Sequence, residues 1–141
     1  MQTDSEILRS HERQSTFRVV PLSDWRAILR RRINVLVIGP PDALAAFGTL
    51  ARSEMRAPIT SIGASLPSFL GGVRTLILTD AASLDGAQQQ RLLTWLDDRR
   101  DGDVQVISLT STPLFPLVET KVFDPQLYYR LNTVLLEIQS A

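Results

Sequence analysis

The sequence predicts an α/β fold: a three-layer αβα sandwich around a mostly parallel five-stranded sheet. Three observations carry that expectation. Short apolar runs such as TLIL at 75–78 are too continuous to leave one face wet, which marks strands covered on both sides. Between them lie segments with apolar residues at helical spacing, opened by capping residues. The two kinds alternate along the chain, which selects parallel pairing through right-handed crossovers. With 141 residues, 44% apolar and 21% charged, the chain can bury an ordinary core as one domain.

The first sixteen residues are polar and lack periodicity, so they read as a flexible arm and leave residues 17–141 as the domain. Phe17 to Val20 is short enough for an added edge strand. Ser23 caps a helix whose Leu22, Trp25, Ile28 and Leu29 share one side and which finishes in Arg30, Arg31 and Arg32. Three adjacent guanidinium groups can grip phosphates, yet cations in a last helical turn also offset the helix dipole. Val35 to Gly39 (VLVIG) is the first buried strand. After Pro40 and Pro41, Asp42 caps a helix through Leu44, Phe47, Leu50 and Met55, mildly weakened by Gly48. Pro58 to Ile62 is the next strand, and Gly71 and Gly72 close a short segment containing Leu66, Phe69 and Leu70.

The stretch from Arg74 to Leu109 is one βαβ unit. Thr75 to Leu78 is its central strand. Asp85 with Gln88 three residues on is an acidic variant of the capping box, and Leu92, Leu93 and Leu96 form the buried stripe of the helix. Asp101 and Gly102 end the run before Val104 to Leu109 resumes as a buried strand. Thr110 to Pro116 is then a Ser/Thr/Pro loop, Asp124 and Pro125 open a short helix as N-cap and first helical residue, and Val134 to Ile138 is the fifth strand.

Composition excludes several functions. The chain has no cysteine, which removes disulfides and thiolate metal sites, and its single histidine, His11, sits in a polar segment where a solvated side chain is expected. No metal site is expected. Fifteen basic residues balance fifteen acidic ones, so no global charge draws the chain to nucleic acid or membrane. MQTDSEILRS has neither the basic nor the apolar region of a signal peptide, and no run approaches membrane-spanning length. A cytoplasmic location is expected.

The segment FDPQLYYRLNTV at 123–134 resembles the FRxDLYYRLNVV element of the AAA+ domain in sigma-54-dependent transcriptional activators, the bacterial enhancer-binding proteins. Further segments match in the right order. GDVQVIS at 102–108 is similar to the family's GDVRVIA strand, QQQRLL at 88–93 to the helix before it, and TLIL at 75–78 to its TLFLDE strand. APITSIGASLP at 57–67 is similar to PFVAVNCAALP, and VLVIGPP at 35–41 to the strand entering the phosphate loop. The resemblance runs from about Val35 onward and implies a P-loop NTPase (AAA+)-like core. It further implies that Gly39, Asp42, Ala45, Thr79, Asp80, Ser111 and Arg130 occupy the positions of a nucleotide site.

Those positions depart from the family's chemistry. GxxxxGK(S/T) is reduced to Gly39 followed by Pro40, Pro41, Asp42, Ala43, Leu44, Ala45 and Ala46. Two prolines lack amide hydrogens, Asp42 sets negative charge where polyphosphate would lie, and Ala45 replaces the lysine. Thr79 and Asp80 stand in place of the Asp-Glu pair that holds magnesium and orients water, Ser111 replaces the sensor asparagine, and Asp124 replaces the first arginine of FRxDLYYR, so only Arg130 survives. Between the second and third strands, Pro67 to Arg74 is too short for the GAFTGA loop that touches sigma factor. The chain stops after the fifth strand, so the helical lid is expected to be missing.

The expectation is therefore a non-catalytic AAA+-like protein that binds no cofactor, has lost ATPase activity and acts by contact with a protein partner in transcriptional regulation, with homo-oligomerisation suggested by Arg130 and Tyr128. Three alternatives stay open. One is residual ATP and magnesium binding, or weak ATPase activity, suggested by Gly39 and the strand order. Another is a receiver-like signalling domain, suggested by Asp80, Gly86, Thr110 and Lys121; the acidic pair after the first strand that such a site needs is Gly39-Pro40-Pro41 here. The last is DNA binding through Arg30, Arg31 and Arg32. The bland reading of the YYRL segment is that Tyr128 and Leu131 pack in the core while Arg130 caps a helix end.

Overall fold

The computed structural model describes residues 24–63, 71–100 and 103–139. The expected arm over 1–16, the domain start at 17, His11, the strand at 17–20, Leu22, the Ser23 cap, the segment with Leu66, Phe69 and Leu70, and the turn at 101–102 lie outside the described residues.

The continuous apolar runs form strands as expected: β1 (Val35–Ile38), β2 (Ile59–Ile62), β3 (Thr75–Leu78), β4 (Gln105–Thr110) and β5 (Val134–Glu137). They make one sheet in the order β2-β3-β4-β1-β5, and every pairing is parallel. β3 and β4 are buried along their whole length, whereas β2 at one edge keeps only Ile62 fully buried. The helices are α1 (Trp25–Arg30), α2 (Pro41–Ala51), α3 (Gly86–Asp97), α4 (Phe115–Glu119) and α5 (Pro125–Leu131).

Strand alternation sends side chains to two separate cores. Leu36, Leu76, Leu78, Val106 and Leu135 pack with Leu92 and Leu96 of α3, Phe123, and Leu127 and Leu131 of α5. Val35, Val37, Ile77, Ile107 and Leu136 pack with Trp25 and Leu29 of α1 and Leu44 and Phe47 of α2. The result is three layers, αβα. From β1 the chain crosses to the far edge strand β2 and then returns through β3 and β4, so crossovers of one hand must lie on opposite faces for the two directions. The placement of α2 on one face and of α3 and α5 on the other meets that requirement.

Three local expectations need correction. Asp42 is not the N-cap of α2: Pro40 holds that position in an extended conformation, Pro41 is the first helical residue, and Asp42 falls in the first turn. Proline at the first position costs nothing because that amide has no helical partner anyway. α2 also stops at Ala51, a 3₁₀ turn at Arg52–Glu54 follows, and Met55 is buried from an extended residue beyond it, while Leu50 faces solvent. The loop expected from Thr110 to Pro116 contains the end of β4 and the start of α4, whose Pro116 sits in the first turn where proline is tolerated. Five helical residues are too few to show a period.

The other caps hold. Asp85 accepts from the Gln88 amide at 2.8 Å, and Asp124 accepts from those of Gln126 and Leu127 at 2.7 and 3.2 Å.

Candidate functional site

In parallel α/β sheets, ligands meet the carboxyl ends of the strands, where βα turns converge. Here that edge carries a groove of about 480 Å³ beside α2. Leu44, Ile77 and Leu109 supply apolar lining, and Thr79, Asp80 and Ser111 bring polar groups from the ends of β3 and β4. Ala45 lines it from α2. Four expected positions, Ala45, Thr79, Asp80 and Ser111, are thus brought together by residues far apart in sequence.

Their chemistry is modest. The Thr79 hydroxyl donates to the Ile62 carbonyl at 3.1 Å, beside the Thr79 amide that uses the same carbonyl at 2.9 Å. The Asp80 carboxylate accepts from the Ser83 hydroxyl while its own carbonyl accepts the Ser83 amide, so it closes the 3₁₀ turn Ala81–Ser83. Ala45 offers only a methyl group. Nothing in this set gathers the charge that magnesium or a triphosphate requires.

Gly39 sits on the βα turn itself, and Asp42 in the first turn of α2. Only Gly39 and Pro40 separate β1 from α2, so residues 41–44, which would form the body of a phosphate loop, are the first turn of a helix. The Leu44 amide is already bonded to the Pro40 carbonyl at 2.9 Å. Glycine at 39 has a packing cause: a Cβ there would stand 2.8 Å from the Ile138 carbonyl oxygen and 2.5 Å from its Cγ1. The Gly39 amide donates to the Thr110 carbonyl at 3.2 Å and so extends the strand ladder.

Arg130 is elsewhere. It lies at the opposite edge of the sheet, ion-paired with Asp97 of α3. Tyr128 and Leu131 are buried, as the core-packing reading expects, and burial pushes the Tyr128 hydroxyl up to about 12, opposed by a hydrogen bond from Asn132. Arg130 stands in the last turn of α5, where a cation offsets the helix dipole, and also pairs with the Asp97 carboxylate. Of the three arginines at the end of α1 and just beyond it, Arg30 makes a two-pronged pair with Glu54 at 2.7 and 3.0 Å, and Arg32 donates to the Glu54 carbonyl at 2.7 Å. The Arg30 hydrogen bond holds the Glu54 carboxyl below the usual carboxylate range. Two members of the expected phosphate-gripping cluster are therefore engaged within the protein.

Sequence reading missed Gly48 and Thr49 of α2, Arg52 of the 3₁₀ turn after it, and Ser61 of β2 as groove residues. The Arg52 guanidinium donates to the Ser61 hydroxyl at 3.0 Å across the groove. A signal existed, since Ala45, Gly48, Thr49 and Arg52 recur at the i, i+3, i+4, i+7 spacing of one helix face.

Among the described residues no helix is long and apolar enough to cross a membrane, and no group of three or more histidine and carboxylate side chains converges on a metal-sized site. In fold, the chain is similar to NtrX from Brucella abortus in complex with ADP, with a TM-score of 0.67 at 18% identity over 96% of this chain and 40% of that one. NtrX in complex with ATP gives a TM-score of 0.64 at 18% identity, over 96% and 42%. The P-loop NTPase domain of a sigma-54 transport activator from E. coli gives 0.53 at 20% identity, over 82% of this chain and 96% of that one. The chain thus spans about 40% of the length of the NtrX chains. No curated protein matches it significantly. The sigma-54 interaction domain profile matches residues 53–140, more than half of the sequence, and the chain belongs to the sigma-54 interaction domain family.

Proposed function

We propose that this chain is a non-catalytic sigma-54 interaction domain that works by protein contact in cytoplasmic transcriptional regulation. The observation that carries the reading is the start of α2 at Pro41, which turns the phosphate-loop positions into helix and leaves two prolines where inward-pointing amides are needed. Each missing charge-assisted hydrogen bond to phosphate is worth about 1.5–3 kcal/mol, so several together lower triphosphate affinity by orders of magnitude. With a threonine and one carboxylate, Asp80, where a pair of carboxylates is needed, and Ala45 in place of the lysine, Mg–ATP does not fit the residues present, and phosphoryl transfer lacks the electrostatic stabilisation on which it depends.

Calorimetric titration with ATP and magnesium tests this. No heat at millimolar ligand is the expected result; a measurable isotherm, or magnesium-dependent turnover lost on replacing Asp80, rejects it. The same titration judges residual ATP binding, a reading favoured by the groove that persists beside Asp80. Self-association is part of the proposal, and a strict monomer by light scattering at high concentration would remove it.

A further inference from the structure

The amino edge of the sheet, opposite the groove, carries a second cavity of about 370 Å³. It lies where β1, β4 and β5 begin and where α3 and α5 end. Arg32, Arg99, Arg100 and Arg130 line it, with Asn34 and Thr133, and among the described residues no carboxylate lines it. Four cations from three separated stretches of sequence therefore share one concavity.

Their existing partners leave most of the donor capacity unused. A guanidinium carries five N–H donors in a rigid fork. Arg99 gives one to the Trp95 carbonyl at 2.9 Å and lies over the Trp95 ring, 4.1 Å from its centre. Arg32 gives one to the Glu54 carbonyl. Arg130 pairs with Asp97, which stands outside the lining. Arg100 is exposed, and among the described residues no carboxylate reaches Arg32, Arg99 or Arg100 within ion-pair distance.

The simplest competing account is that arginines offset the carbonyl ends of the helices that finish here. That explains one bond on Arg99. It leaves Arg100 without a role, and it gives no reason for the four groups to border the same hollow, where their mutual repulsion opposes folding. An oxyanion would relieve that repulsion and accept paired N–H donors from the planar forks.

We propose that this cavity is a binding site for a small phosphate-bearing anion, separate from the groove beside α2. A hollow of this size suits a free phosphate or phosphate ester, whereas duplex nucleic acid asks for an extended basic strip. The site does not depend on whether the other edge binds nucleotide.

Thermal unfolding of the full chain at low, constant ionic strength tests it, with inorganic phosphate and pyrophosphate as ligands and chloride as control. Both phosphates are expected to raise the midpoint saturably. The Arg99→Ala/Arg100→Ala double variant should weaken the apparent affinity about tenfold or more. Arg100→Glu, at an exposed position, should do the same without touching the core and serves if the double variant folds poorly. Arg52→Ala, in the opposite groove, should leave the phosphate-induced rise in the midpoint unchanged whatever it does to the midpoint without ligand. Stabilisation that chloride reproduces, that survives both arginine variants, or that Arg52→Ala removes would overturn the proposal. So would binding of duplex DNA through these arginines with no response to pyrophosphate.

Discussion

The two edges of the sheet solve different problems with similar residues. At the amino edge, the Asn34 side chain donates to the Arg130 carbonyl and accepts the Val106 amide, and buried Gln105 donates to the carbonyls of Leu29 and Ile33. These amides tie α1, β1, β4 and α5 together. At the carboxyl edge, Thr79 and Asp80 bond only to their immediate structural neighbours, Ile62 and Ser83, and Ala45 bonds to nothing through its side chain. The difference teaches that buried side-chain amides join four elements at the amino edge, while the side chains of Thr79, Asp80 and Ala45 at the carboxyl edge tie at most one neighbouring strand or turn.

Breaking the amino edge should have the largest effect. Asn34→Ala strands the buried Val106 amide and the Arg130 carbonyl, and about 3 kcal/mol of stability is expected to disappear in urea unfolding. A loss under about 0.5 kcal/mol would mean water replaces the amide and the contrast between edges is false. Gly39→Ala comes next. With Ile138 so close, the new methyl must push the β5 end aside, at a cost of about 1–3 kcal/mol. No change would mean that the β1 turn is looser than it looks.

Alkali sharpens the same comparison through Tyr128. Its folded value is raised to about 12, above the unfolded value near 10, so the unfolded chain loses its proton first. Stability is full below about pH 10 and falls as pH rises toward about 12. Tyr128→Phe should flatten that part of the midpoint-versus-pH curve.

The carboxyl edge should respond least. Asp80→Asn and Ala45→Lys are both at exposed positions, and each is expected to shift stability by no more than about 0.5 kcal/mol. Ala45→Lys is also expected to leave ATP unbound, because a lysine alone cannot restore a loop that has become helix. Recovery of binding by that single change would show that the turn at Gly39 and Pro40 is not what excludes the triphosphate.

Much of the fold was legible in the chain. The buried runs at Val35, Thr75 and Val134 and the caps at Asp85 and Asp124 depend on backbone period and on neighbours within four residues, which a sequence displays directly. The Asp42 cap was misjudged because two prolines before it compete for the same first turn. Within the helix expected through Leu44, Phe47, Leu50 and Met55, which of the apolar residues are buried is settled by neighbours distant in sequence, and Leu50 faces solvent. The candidate site was half legible: Thr79, Asp80 and Ser111 follow strands that end at one edge, so motif order located them. Arg52 and Ser61 are not marked by any motif, since only the placement of the 3₁₀ turn after α2 beside β2 brings them within 3.0 Å.

By itself the sequence determined the αβα layers, the alternation of strand and helix, and the loss of the lysine and paired carboxylates from the nucleotide motif. Those follow from local backbone geometry and side-chain chemistry. Only the tertiary structure decided that Gly39 serves the close approach of Ile138, that Arg130 lies at the edge away from the groove, and that Arg32, Arg99, Arg100 and Arg130 face one hollow. Strand order sets which chain ends meet, and that order is fixed by the burial of two cores built from residues far apart in sequence.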